Sequence, residues 1–111
     1  MNIPSSRGRL VSAAIVLGAL LFASAAQASW EQRHPRRDQI LDRTHNLNLR
    51  IANERREGEL KLWKAHELHA EVRRTRFEQR GMARVNGGYI TKAQQAGLNR
   101  QENAISREIR P

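Results

Sequence analysis

Residues 62–84 read LWKAHELHAEVRRTRFEQRGMAR, and the spacing of apolar side chains in this stretch decides the fold class. Leu62, Ala65, Leu68, Val72 and Thr75 follow one another at three, three, four and three residues. That interval stacks side chains on one face of an α-helix. Trp63, Ala70 and Phe77 recur every seven residues beside the stripe and are expected to widen it into a core-facing surface. Asn86-Gly87-Gly88 follows at once, and glycine accepts the left-handed backbone that closes a helix.

The neighbouring segments carry the same period. Upstream, Ile40, Thr44, Leu47 and Ile51 lie four, three and four apart, with Pro35 and Asp38 placed for a helix start and Gly58 for its end. Downstream, Thr91 and Gln94 have the spacing of a capping box, in which each side chain satisfies a free backbone amide of the other. Leu98, Glu102, Ile105 and Ile109 then continue at four, three and four. No segment alternates with period two, so the expected fold class is all-α, with at most a one-residue bridge between Leu60 and Ile90.

Those two residues mark a 30-residue repeat. Glu57-Gly58-Glu59-Leu60 aligns with Gly87-Gly88-Tyr89-Ile90, Leu68 with Leu98, and Leu47 with Phe77. The expected architecture is three amphipathic helices arranged as two helix-turn-helix repeats that bury their stripes against each other. The spacing resembles the EF-hand, with glycine at loop position six and an aliphatic residue at position eight. Calcium requires oxygen ligands at positions 1, 3, 5 and 12. Those positions hold Asn53, Arg55, Glu57 and Lys64 in one loop and Ala83, Val85, Gly87 and Gln94 in the other. The hairpins are EF-hand-like in spacing and lack calcium ligands. Lys61 and Lys64 stand where the second unit has Thr91 and Gln94, so the first unit has no capping box.

Residues 1–28 carry the pattern of a bacterial secretory signal peptide: Arg7 and Arg9, an uncharged run from Leu10 to Ala26, and the small residues of Ala26-Gln27-Ala28. Cleavage is expected between Ala28 and Ser29, which places the product in the periplasm or outside the cell, without stable membrane insertion. Residues 29–37 read as a polar lead-in, and 38–111 as a single helical domain. All eleven acids and all but two of the twenty Lys and Arg lie beyond residue 28, leaving the remaining 83 residues with seven more cations than acids. Only fifteen of those 83 are Leu, Ile, Val or Phe, just under the ~20% at which chains tend toward disorder. A thin core of this kind predicts marginal stability that dimerisation would raise. A large single-core enzyme and a disulfide-stapled miniprotein are both excluded, the latter because the chain has no cysteine.

Taken whole, the chain resembles a group of small, uncharacterised exported helical proteins of proteobacteria. The resemblance rests on His34-Pro35 and on a closing block that runs from Asn86-Gly87-Gly88-Tyr89-Ile90-Thr91-Lys92-Ala93-Gln94-Gln95 through Leu98 to Arg107. It implies no activity, because the group has none to carry across. Ile90-Thr91-Lys92-Ala93-Gln94 is also similar to the Leu-Thr-x-x-Gln signature of Spy/CpxP-type periplasmic chaperones, which implies a chaperone-like role.

Two constellations could carry chemistry. His66 and His69, at i and i+3 on a helix, share a face and are candidate ligands for one transition metal; a periplasmic metal-binding protein using this His-x-x-His pair is the alternative functional reading. They do not form His-Glu-x-x-His, and no Gly-x-Ser-x-Gly or phosphate loop occurs, so no catalytic residue, no cofactor and no enzyme activity is expected. Seventeen of the twenty basic residues are arginine, whose planar fork suits phosphate and carboxylate. Arg73, Arg76, Arg80 and Arg84 fall at three, four and four along one solvent face, a candidate surface for anionic partners. The leading expectation is a non-enzymatic binding module for anionic envelope components or unfolded proteins, with no nucleic-acid partner. Against this stands a purely solvated surface in which Glu67–Arg74 and Glu54–Arg50 pair.

Overall fold

A computed structural model describes residues 29–110, and the proposed signal segment lies outside the described residues. Residues 29–33 belong to one compact unit and the chain from His34 onward to another. The second unit is all-helical among the described residues: α1 (Pro35–Arg56), α2 (Leu62–Val85) and α3 (Lys92–Ile109). Each helix packs on both others.

Helix α1 begins earlier than the polar lead-in allowed. Pro35 takes the first helical position, with His34 as N-cap and Asp38 in the first turn. Proline suits that position because its fixed φ is already helical and the missing N–H has no intrahelical partner there. Residues 35–37 are therefore helical, and the helical unit starts at His34 rather than residue 38. Residues 29–33 are helical as well.

The two turns use the glycines as their spacing predicts. Gly58 has φ +81°, and Gly87 and Gly88 have φ +66° and +101°. In the first turn Glu59 N–H donates to Glu54 O and Gly58 N–H to Arg55 O, the paired bonds of a Schellman closure. In the second, Gly88 N–H donates to Ala83 O. Leu60 and Ile90, each two residues past its glycine, are both buried. No strand or bridge forms between them among the described residues. Leu60 packs with Leu47, Ile51, Leu68, Val72, Ile105 and Ile109, whereas Ile90 packs with Ile40, Ala83 and Leu98. Because α2 is common to both hairpins, the two turns fall at opposite ends of the bundle, each plugging its own apolar cluster.

The core is thus two apolar clusters, and the residues between them are polar. Thr44 on α1, Thr75 and Gln79 on α2, and Glu102 on α3 are all buried. On every helix they fall between a residue of one cluster and a residue of the other. Thr44 donates to Leu41 O, Thr75 to Glu71 O and Gln101 Oε1, and Gln79 to Arg76 O while accepting from Arg37 Nε. Glu102 differs from the rest: its side chain is 0% exposed and neither carboxylate oxygen has a hydrogen-bond partner.

Helix α3 carries the capping box that its sequence predicts. Gln94 N–H donates to Thr91 Oγ1, and Thr91 N–H to Gln94 Oε1. Helix α2 starts at Lys61 with no side-chain cap. Replacing Lys61 with threonine, whose oxygen can accept a first-turn amide, is expected to raise stability by about 1 kcal/mol in urea denaturation. No gain would mean that solvent already satisfies the first turn of α2.

Candidate functional site

The outward side of α2 holds most of the side chains singled out from the sequence, but not in the expected arrangement. Its buried stripe is Ala65, Leu68, Val72, Thr75, Gln79 and Ala83. Trp63 and Phe77 are 64% and 74% exposed, and Ala70 and Leu62 are exposed as well. The seven-residue series Trp63, Ala70, Phe77 therefore does not widen the core face. Residues two apart on a helix differ by about 200° in direction, so Trp63 and Ala65 cannot share a face. The aromatic series runs along the ridge about 180° from the core stripe.

The arginines flank that ridge. Arg73, Arg76, Arg80 and Arg84 are all exposed. Among the described residues, none of the four has an ionic partner within 4 Å; the three ion pairs present are Arg43–Glu102, Lys64–Glu67 and Lys64–Glu108. Arg73, Arg76 and Arg80 line a shallow depression with the Phe77 ring. The pairings expected to neutralise the surface are not made: Glu67 meets Lys64, and Arg50 donates to Ser106 Oγ across to α3.

The charge on α2 is sorted by side. Arg73, Arg76 and Arg80 lie on the flank where His69 Nδ1 is hydrogen-bonded to Asn48 Oδ1 of α1, at 2.8 Å. The acids lie on the α3 flank. There Gln101 Nε2 donates to Glu78 Oε2 and Lys64 Nζ to Glu108 Oε1. Glu71, half-buried on that flank, has its carboxyl pushed up first by burial and then by the neighbouring Glu108.

The histidine pair is split by burial. His66 is exposed and His69 half-buried. Burial lowers the pKa of His69, with Arg73 and His66 adding to the effect. Its Nδ1 is engaged by Asn48, which leaves Nε2 as the ring nitrogen facing outward chemistry. Among the described residues no third histidine, cysteine or acid joins the pair in a cluster able to hold a metal. His34 is at the far end, stacked on Tyr89 with centroids 4.7 Å apart.

That stacking brings the start of α1 against the second glycine turn. Arg36 Nη1 donates to Ile90 O and Arg37 Nη1 to Gly88 O, so the His34-Pro35 end of α1 is tied to the Gly88-Tyr89-Ile90 turn.

Compared with known proteins, the chain matches no family model, no curated protein and no solved structure. No helix among the described residues is long and apolar enough to cross a membrane.

Sequence reasoning placed Glu102 on the buried stripe but gave it no role. An acid at a 4-3-4 core position was the available signal. Burial pushes its carboxyl up to about 7, and Arg43, with Nη1 3.9 Å from Oε1, only partly offsets this. The Arg43 guanidinium is occupied elsewhere, donating to Asn99 O, Asn99 Oδ1 and Asn103 Oδ1.

Proposed function

We propose that the protein is an exported, non-enzymatic helical module that binds anionic partners at the cell envelope through the outer flank of α2. The observation that carries this reading is the set Arg73, Arg76, Arg80 and Arg84: exposed, on one helix, and without ionic partners among the described residues. Arginine that is not neutralised within the fold keeps its fork available for phosphate or carboxylate. The separation of acids to the α3 flank supports the same reading, because it leaves one side of α2 with a single sign of charge. The two glycine turns, with Gly58 and Gly88 thirty residues apart, are read as the trace of a duplicated helix-turn-helix unit.

Binding to soluble inorganic polyphosphate tests the proposal. Replacing Arg73, Arg76, Arg80 and Arg84 with glutamine is expected to weaken binding about tenfold or more and to flatten its salt dependence. All four are exposed, so stability in urea should change by less than about 0.5 kcal/mol. A control variant with Arg55, Arg100, Arg107 and Arg110 replaced removes the same net charge from other exposed positions. Equal losses in the two variants would show that bulk charge, not this surface, does the binding.

A further inference from the structure

We infer that the anionic partner is a phospholipid bilayer surface, on which α2 lies flat with Trp63 and Phe77 entering the headgroup region; this deepens the anion-binding reading and rests on it. The ridge of α2 combines two features that a soluble polyanion does not need together. One is the single-sign flank of Arg73, Arg76, Arg80 and Arg84. The other is a pair of large exposed rings fourteen residues apart, about 21 Å along the helix. A folded chain loses free energy by leaving such rings in water, and burying them at an interface recovers it. Indole in particular suits the boundary between headgroups and acyl chains, with an apolar body and one N–H donor.

The spacing argues against stacking on nucleic acid. Successive bases are met by rings set close together on a platform, whereas Ala70, a small side chain, lies between Trp63 and Phe77. The layout fits a plane. A surface tangent to the ridge touches Trp63, Ala70 and Phe77 in one line, with the arginines beside that line at headgroup depth. Their alkyl stems can then lie along the apolar boundary while the guanidinium groups reach phosphate. Glu71 and Glu78 of α2 line a groove with Glu108 of α3, so the bundle rolls toward its α1 flank and turns them from the negative surface. Lys64, 5.8 Å from the Trp63 ring, is already paired with Glu67 and Glu108, so the attraction to the surface rests on the arginines.

The test uses the full chain throughout, so that Leu10–Ala26 contributes equally to every variant. Trp30 is replaced by phenylalanine, leaving Trp63 as the sole indole. On vesicles rich in phosphatidylglycerol, Trp63 emission should shift to the blue and be quenched by brominated lipid tails, and on phosphatidylcholine vesicles it should do neither. In a second pair of proteins, Trp63→Ser/Phe77→Ser should partition onto phosphatidylglycerol vesicles roughly tenfold less than the wild type. The same variant should bind soluble polyphosphate as the wild type does. Unchanged Trp63 emission on both vesicles with polyphosphate binding intact would overturn the bilayer inference, leave the anion-binding surface standing, and point to a soluble acidic partner. Loss of the polyphosphate signal in the wild type would remove both. Equal insertion into the two vesicle types would also overturn the inference, because the arginine flank would then have no part in it.

Discussion

Glu102→Gln is expected to make the bundle more stable at pH 8 and to remove the contribution of this carboxyl to its pH dependence between pH 5 and 7.5. The carboxyl is held at about 7 in the folded chain against an ordinary value of 4.5, because burial without a hydrogen-bond partner disfavours the ionised form. The folded state therefore binds the proton more tightly than the unfolded state. The contribution of Glu102 to stability is therefore greatest below about pH 4.5, falls as pH rises through the interval up to about 7, and levels off above it. A shift of this size corresponds to roughly 3 kcal/mol between the two plateaus, which is large beside the ~5–15 kcal/mol total stability usual for a folded domain. Glutamine keeps the shape and does not titrate.

The measurement is the difference in unfolding free energy between variant and wild type, taken from urea curves at pH 5 and pH 8. Taking the difference cancels other titrations, such as loss of the Lys64–Glu67 and Lys64–Glu108 pairs in acid. At pH 5 the protonated glutamic acid and the amide should be close in stability, and at pH 8 the variant should lead by roughly 2–3 kcal/mol. The same difference at both pH values would show that Glu102 is solvated or paired in solution, and the buried-acid account would fail.

Much of the fold is legible from local chemistry alone. The 4-3-4 stripes of α1 and α3 are the stripes that become buried, the capping box at Thr91 forms, and glycine occupies each position of positive φ among the described residues. These features are decided within a few residues, by helical period and by the steric freedom of glycine. Period also places the inner stripe of α2, since Ala65, Leu68, Val72 and Thr75 are all buried; what it does not decide is how far that face extends around the helix. Its buried stripe contains Ala65, Thr75, Gln79 and Ala83, whereas Trp63 and Phe77, its bulkiest apolar side chains, face outward. Ranking stripes by hydrophobicity selects the wrong rings. Small residues on the inner stripe of α2 leave room for Ile and Leu from α1 and α3, a tertiary requirement that no single segment displays.

The site was legible in the same proportion. The arginine spacing of three, four and four places four cations along one side of a helix, and all four are exposed. The absence of ionic partners is not deducible from spacing, because Arg74 and Glu67 had suitable positions and Lys64 took the acid instead. Histidine spacing predicted a shared face for His66 and His69, yet Asn48 arrives from α1 to engage His69 Nδ1, a contact between residues 21 apart in sequence.

The inward and outward sides of α2 differ most sharply in the expected cost of Leu68→Ala against Phe77→Ala. Leu68 is fully buried in the cluster shared with Leu47, Ile51, Val72 and Ile105. Truncating it removes apolar burial and leaves a cavity that a close-packed three-helix contact cannot fully close, at about 2–5 kcal/mol. In a domain of this size that cost is expected to leave the variant largely unfolded at pH 8. Phe77 carries more apolar atoms but exposes 74% of its surface, so Phe77→Ala should change stability by less than about 0.5 kcal/mol. Because Glu102 lies in the polar layer rather than in the Leu68 cluster, adding Glu102→Gln to Leu68→Ala should restore much of the folded population at pH 8 and little at pH 5, where the acid is already protonated. Helix content by circular dichroism against urea reads all four proteins. A Phe77→Ala loss as large as that of Leu68→Ala would mean that the ring is covered in solution, by another copy of the chain if the loss disappears on dilution. Failure of the double variant to recover at pH 8 would mean instead that the two halves of the core are not energetically separable across Thr44, Thr75, Gln79 and Glu102.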